Sequence, residues 1–222
     1  MAGPALELDH IVITCHRLEA GMDYIERTFG VSIPPGGQHD FMGTHNAVMA
    51  VGRDAYLEVI AIDPSLPAPP YPRWFGLGNI QMEDRLKDKP MLAHFVLRTT
   101  DLEATLAGLE KSDQALIGKP QAASRGDLRW QITLNPTGLP PMGGCLPALI
   151  EWDGTPPISR MAFPGPVLDK LRLGTPEPER LRQVLTTLGG ENLLADGLLD
   201  IETATPAGLK ADFTHRNRSI WI

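Results

Sequence analysis

Two histidines and two glutamates recur in this chain in like surroundings. His10 lies within Leu8-Asp9-His10-Ile11-Val12-Ile13, and His94 within Leu92-Ala93-His94-Phe95-Val96-Leu97. Tyr56-Leu57-Glu58-Val59 and Leu149-Ile150-Glu151-Trp152 each hold one acid among apolar neighbours. A carboxylate on an apolar strand is costly to desolvate unless it is paired or bound to a cation. Two imidazoles and two carboxylates make a donor set for a borderline divalent ion: zinc, nickel, cobalt, manganese or iron(II). The alternative is a metal-free hydrogen bond between histidine and glutamate across neighbouring strands.

These residues belong to an internal repeat. A shift of 84 residues lays the His10 strand on the His94 strand without a gap, and Leu18-Glu19-Ala20 on Leu102-Glu103-Ala104. A strand and its following helix therefore occur twice, which is the first thing to settle about architecture. A shift of 163 finds a weaker third copy. It keeps the helical stripe (Leu18, Met22 and Ile25 on Leu181, Leu185 and Leu188) but puts Leu173 where the others have histidine.

The elements that must position the site follow from periodicity and turn chemistry. Residues 7–15 read as a strand, with Leu8, His10 and Val12 on one face. Residues 18–29 read as a helix stopped by Gly30. Pro34-Pro35-Gly36-Gly37 reads as a turn, and a short strand near 31–33 completes β-α-β-β-β with strands 45–51 and 56–63. The second module has strands 91–99, 128–135 and 148–152, with a helix from Asp101 to about Lys111. A third strand–helix unit at 167–188 leads to a hairpin over 198–213. The Pro-rich run 64–72 is an extended connection. Arg73-Trp74-Phe75-Gly76-Leu77 is either a satellite core patch or the wall of a pocket. The divisions expected are 1–89, 90–160 and a structural partial copy over 161–222.

Composition narrows the function classes. A net charge of −7 with no basic stripe gives no footprint for nucleic acid. No apolar run is long enough for a membrane span, the N-terminus lacks the pattern of a signal peptide, and Cys15 and Cys145 make no disulfide framework. A cytoplasmic protein acting on a small molecule is expected, without nucleic acid or membrane partners and with a homodimer left open.

Other polar residues offer contacts around the quartet. His39, His45 and Asn46 lie in glycine-bounded turns, where they serve either turn conformation or polar contacts at a pocket mouth. A regular hairpin puts His45 on the face of Glu58, where it could replace a ligand or orient a substrate. Arg129 and Gln131 alternate along a strand, facing solvent or binding a carboxylate.

Together these segments resemble a known superfamily. Paired β-α-β-β-β modules with a histidine on the first strand and a glutamate on the last are similar to the vicinal oxygen chelate proteins, which include glyoxalase I, extradiol dioxygenases and resistance proteins. Leu8-Asp9-His10-Ile11-Val12, Gly36-Gly37-Gln38-His39, Gly43-Thr44-His45-Asn46 and Tyr56-Leu57-Glu58-Val59-Ile60-Ala61 resemble its glyoxalase-like domain proteins more narrowly, as do Leu128-Arg129-Trp130 and Leu149-Ile150-Glu151-Trp152-Asp153. The resemblance implies an α+β fold in which the two modules curl into a cup, with a partial third βαββ copy. It implies His10, Glu58, His94 and Glu151 as metal ligands and Glu58 or Glu151 as the base. His45, Asn46, His39 and Arg129 would contact substrate. The implied activity is a metal-dependent isomerase, epimerase or lyase acting through an enediolate-like intermediate. A metal-free binding protein is the alternative and a dioxygenase the third reading. One departure stands out: the run from His94 to Glu151 is nine residues longer than that from His10 to Glu58.

Overall fold

The computed structural model describes residues 6–163 and 165–222. The N-terminal residues 1–5, part of the segment read for a targeting signal, lie outside them. The first module runs β1 (Glu7–Thr14), α1 (Leu18–Phe29), β2 (Pro35–His39), β3 (Thr44–Ala50) and β4 (Tyr56–Ile62). A connection with a short helix, α2 (Ile80–Asp88), leads to the second: β5 (Met91–Arg98), α3 (Leu102–Ala107), α4 (Lys111–Ile117), β6 (Lys119–Arg125), β7 (Leu128–Leu134) and β8 (Ala148–Trp152). Their strands form one eight-stranded sheet in the order β2-β3-β4-β1-β5-β8-β7-β6. The order of one half mirrors that of the other, and β1 and β5 meet antiparallel as the seam.

The repeat is stricter in three dimensions than it looks in sequence. β1, β2 and β3 begin at residues 7, 35 and 44, and β5, β6 and β7 each begin 84 residues later. Both seam strands carry a bulge at the equivalent residue: Asp9 is extra between the pairs Leu8–Leu97 and His10–Val96, and Ala93 between Val12–His94 and Ile13–Leu92. A bulge adds a residue to one strand and re-aims what precedes it. Leu8 therefore joins Ile11 and Ile13 in the core beneath the sheet rather than sharing a face with His10 and Val12.

Two apolar clusters hold the sheet. The larger lies between the sheet and its helices, and it extends into the C-terminal part of the chain. The smaller lines the concave side, with Val12, Ile60, Val96, Ile132 and Ile150 packed on Trp74 and Phe75. Strands apolar on both faces follow from this double burial. Helix α1 buries Leu18, Gly21, Ile25 and Phe29 and ends at Gly30, whose left-handed φ of 69° closes the last turn. At Gly21 an added Cβ would stand 2.3 Å from Val59 Cγ1, so glycine sets how closely α1 approaches β4.

The C-terminal part comprises β9 (Val167–Thr175), α5 (Pro178–Thr187), α6 (Glu191–Ala195), β10 (Leu199–Thr203), β11 (Gly208–His215) and β12 (Arg218–Trp221), in a second sheet ordered β10-β9-β11-β12. The expected hairpin over 198–213 is not one, because β10 and β11 lie on opposite sides of β9. Leu173, the residue in the place of the histidine, is fully buried in the larger cluster with Leu181, Leu185 and Leu188. Phe213 meets Phe29 of the first module edge-on, ring centroids 4.9 Å apart.

Three other details depart from expectation. The stretch Pro35-Gly36-Gly37 is the start of β2, an edge strand where a missing proline donor costs nothing. The charged stretch after residue 80 is α2, capped by the Asn79 side chain, which accepts from the backbone N–H groups of Gln81 and Met82. Finally, β6 occupies a polar segment with no apolar alternation.

Candidate active site

Register brings His10, Asn46 and Glu58 together. His10 stands opposite Tyr56 across the parallel β1–β4 pair, so Val12 stands opposite Glu58 and all four share the concave face. Glu58 pairs with Val48 and Ile60 with Asn46, which puts the even-numbered residues of β3 on that face. His45 is therefore on the opposite side, its Nδ1 3.6 Å from Asp63, and the expectation that it faces Glu58 is corrected.

His10 sits between two carboxylates. Its Nδ1 is 2.7 Å from Asp9 Oδ1, and its Nε2 is 3.6 Å from Glu58 Oε2. The first is a hydrogen bond; the second is a gap too long for one. A protonated ring serves both carboxylates, whereas a neutral ring with its proton on Nδ1 serves Asp9 and turns a lone pair toward Glu58. Asp9 is fully buried and also accepts from Trp152 Nε1 at 2.9 Å, with an Arg98 nitrogen at 3.4 Å. Burial pushes the Asp9 carboxyl up, but the His10, Trp152 and Arg98 contacts outweigh it and leave the group below its ordinary value. Tyr56 stacks on the His10 ring at 4.6 Å, and burial, then the charges of Asp9 and Glu58, raise its phenol well above the usual value.

A second string of contacts crosses the mouth of the cup. Asn46 Nδ2 donates to Glu58 Oε1 at 2.6 Å, while its Oδ1 accepts from Gly37 N at 2.9 Å and from Arg125 at 3.1 Å. The same Arg125 nitrogen is 3.3 Å from His39 Nε2, and His39 Nδ1 is 3.2 Å from Thr44 Oγ1. Burial, then the charges of Arg125 and His10, bring the His39 pKa down to about 3, so the ring is neutral. A neutral ring that accepts from Arg125 at Nε2 and donates to Thr44 from Nδ1 satisfies every contact. Arg125 on β6 thus joins the two edges of the sheet.

These residues bound a cavity of about 40 Å³, walled by Trp74, Phe75, Trp130, Trp152, Ile132 and Ile150. That volume admits water but no substrate. Pro157 and Met161, between β8 and β9, and Trp74 and Phe75, in the connection before α2, form the wall outside the sheet. Phe75 has a left-handed backbone, φ 57°, a conformation costing about 1–3 kcal/mol for a bulky residue. The Arg73–Leu77 stretch is thus both a core patch and a pocket wall.

The second half repeats the framework without the acids. Val96 stands opposite Ala148 as Val12 does opposite Glu58, so Ala148 occupies the place of the glutamate. Ala93 replaces Asp9 and Trp130 replaces Asn46. The extra length of the second module falls in the loop between β7 and β8. His94 donates from Nδ1 to Gly144 O at 3.2 Å and faces a separate cavity of about 30 Å³, with Trp74 and Phe75 as the shared wall. Burial outweighs the Gly144 bond, which favours the charged ring, and with the charge of His10 brings its pKa down to about 3.

Glu151 does not converge on the site. Ile150 and Trp152 line the cavity, so their neighbour points to the other face of β8, where its Oε2 accepts from Leu102 N at 2.7 Å at the start of α3. Arg129 lies on that outer side, exposed. Of the residues singled out in the sequence, His10, Glu58, Asn46 and His39 meet at the cavity; His45, His94, Glu151 and Arg129 do not. Arg125, Asp9 and Tyr56 were not singled out. No sequence signal marks Arg125: it lies at the end of a polar edge strand, and the shift of 84 sets it on Phe41, beyond β2.

The donor set does not fit a divalent ion. Only His10 and Glu58 of the expected quartet face each other, and the positions matching a second acid hold alanine. The groups nearest the pair are the Asn46 amide nitrogen, a donor bonded to Glu58, and Asp9, which is bonded to His10 Nδ1 and to Trp152. Among the described residues no cluster of three or more histidine, cysteine, aspartate or glutamate side chains is arranged to hold a metal. Equilibrium dialysis with zinc, nickel, cobalt, manganese or iron(II) is therefore expected to show no stoichiometric site that His10→Ala removes. One equivalent bound by the wild type and lost in that variant would overturn this reading.

Comparison with known proteins agrees with the architecture. A family model described as a glyoxalase-like domain matches residues 8–189. The chain belongs to this family, within the vicinal oxygen chelate superfamily. Similar solved structures include a hypothetical protein from Staphylococcus aureus, at 15% identity over 97% of this chain and 84% of that one, TM-score 0.48. Methylmalonyl-CoA epimerases from Streptomyces coelicolor and Mycobacterium tuberculosis are each 17% identical over 69% of this chain. They are covered to 98% and 91%, with TM-scores of 0.41 and 0.40. No curated protein matches the chain. Among the described residues no helix is long and apolar enough to cross a membrane.

Proposed function

We propose that the protein is an enzyme that moves a proton at a carbon next to a carbonyl in a small oxygenated molecule, with isomerisation or epimerisation as the outcome. The observation that carries this is the Glu58–His10 pair: two proton-transfer groups 3.6 Å apart, unbonded to each other and facing an apolar cavity. Glu58 Oε2 takes the proton as the C–H bond breaks, and the electron pair moves onto the carbonyl oxygen. The charge that develops there is met by Arg125, and by His10 Nε2 when that ring carries both protons. Asn46 holds Glu58 by its other oxygen and fixes its orientation. Asp9 is a positioning residue for His10, fixing the ring through Nδ1. Returning the proton to either face of the same carbon, or to the neighbouring one, completes epimerisation or isomerisation.

The aromatic wall supports a second reading, a cup that binds a small molecule without changing it. The two separate on one measurement. Solvent deuterium should enter the carbon beside the carbonyl of a turned-over compound, followed by NMR over hydroxyacetone, acetoin and small 2-oxo acids. Glu58→Gln is expected to slow that exchange by roughly 10²-fold or more while ligand-induced tryptophan fluorescence changes persist. Binding without exchange across the panel, or exchange unaltered in Glu58→Gln, would reject the enzyme reading.

A further inference from the structure

Arg125 is a cation whose recorded partners are all neutral. Its guanidinium contacts Asn46 Oδ1 at 3.1 Å and the neutral His39 ring at 3.3 Å, and no carboxylate among the described residues lies within salt-bridge distance of it. The other polar groups on this face are already committed: Asn46 by three contacts, Asp9 by His10, Trp152 and Arg98. The indole N–H of Trp74, on the same wall, is buried and has no acceptor among the described residues. Glu58, the carboxylate that lines the cavity, is bonded to Asn46 and faces His10 rather than Arg125, so the guanidinium is left without an anionic acceptor of its own. A guanidinium presents its donors as a planar fork that matches a carboxylate with two parallel bonds. The remaining wall (Val48, Ile132, Ile150 and the rings of Trp130 and Trp152) accepts only an apolar body.

We infer that the ligand is a small carboxylic acid with an apolar side group. Its carboxylate bonds to Arg125, and the carbon that carries the labile proton, C2 of a 2-hydroxy acid or C3 of a 2-oxo acid, stands before Glu58 and His10. The identity of the reacting carbon rests on the proton-transfer reading above; the charge of the ligand does not. A branched aliphatic 2-hydroxy or 2-oxo acid fits the description, since an aliphatic body packs against the isoleucines and tryptophans. A phosphate ester carries more charge and bulk than the neutral surroundings of Arg125 compensate. The carboxylate would take over the donor now spent on His39 and Asn46, leaving Asn46 free to hold Glu58.

The test compares 2-hydroxy-4-methylpentanoate with its amide, the same body without the charge, by calorimetric or fluorescence titration of the full chain. The acid is expected to bind at least about tenfold more tightly than the amide. Arg125→Gln should bring the two to equal affinity, and Arg125→Lys should keep part of the preference. A mere clamp between sheet edges predicts otherwise: lower stability in Arg125→Gln with the acid-to-amide ratio unchanged. Equal binding of acid and amide by the wild type, no binding of the acid, or tighter binding of inorganic phosphate than of the acid would each overturn the inference. The comparison in the wild type needs no variant to fold. Acid preference with no deuterium exchange would sink the enzymatic reading and leave this one standing. Exchange on neutral hydroxyketones, without acid preference, would do the reverse.

Discussion

Lowering the pH from 7 to 5 should cost the protein roughly 4 kcal/mol of folding stability through His39 and His94 alone. Both rings are buried and neutral, with pKa values brought down to about 3 from an ordinary 6.5. A histidine whose folded pKa is depressed takes up its proton in the unfolded chain first. Its contribution is complete above about pH 6.5 and is lost as the pH falls from there toward 3. Each such group contributes about 1.4 kcal/mol per pH unit inside that window. The interval from 7 to 5 lies above the range in which ordinary carboxylates titrate, so the histidines dominate it. Urea unfolding at pH 7, 6 and 5 reads the effect directly, and His94→Gln should remove close to half of the slope. A flat stability across that interval would mean that the two rings are not held neutral.

Replacing Phe95 by alanine should cost about 3–5 kcal/mol, the ordinary range for deleting a fully buried phenylalanine. The ring lies at the seam, opposite Ile11, on the face turned away from the cavity. The cost should therefore appear in stability alone, with ligand binding unchanged once the protein is folded. Chemical denaturation with a fluorescence titration on the same sample checks both halves of the statement. A loss below about 1 kcal/mol would mean that the seam is not packed as described.

What was legible in the sequence was the framework. The shift of 84 is legible over β1, α1 and their copies, where apolar residues recur; the structure continues it through β3 and the exposed edge strand β2, where the sequence carries no such pattern. Burial on both faces concealed which way Glu151 points: with Leu149 and Ile150 both apolar, no alternation separates one face of β8 from the other. It also hid Ala148, since nothing in an apolar run marks the position that matches Glu58. The bulges at Asp9 and Ala93 were invisible too, because an extra residue shows only in the pairing. Arg125 escaped because an edge strand has little to bury and so carries no hydrophobic rhythm.

The seam has a consequence for how the chain avoids joining with others. The eight-residue strands β1 and β5 would each, alone, present an unpaired strand edge, the kind of template on which chains aggregate. Antiparallel pairing between the two copies hides both templates in one step. The edges left over are of another character. β2 begins with Pro35, β6 carries Lys119 and Pro120, β10 carries Asp200 and Glu202, and β12 begins with Arg218. Each is short and offers a poor ladder to a passing strand. The vulnerable moment therefore comes while the chain is being made, when the first module has emerged and β5 has not. During that interval β1 awaits a partner that another copy of the protein could also supply.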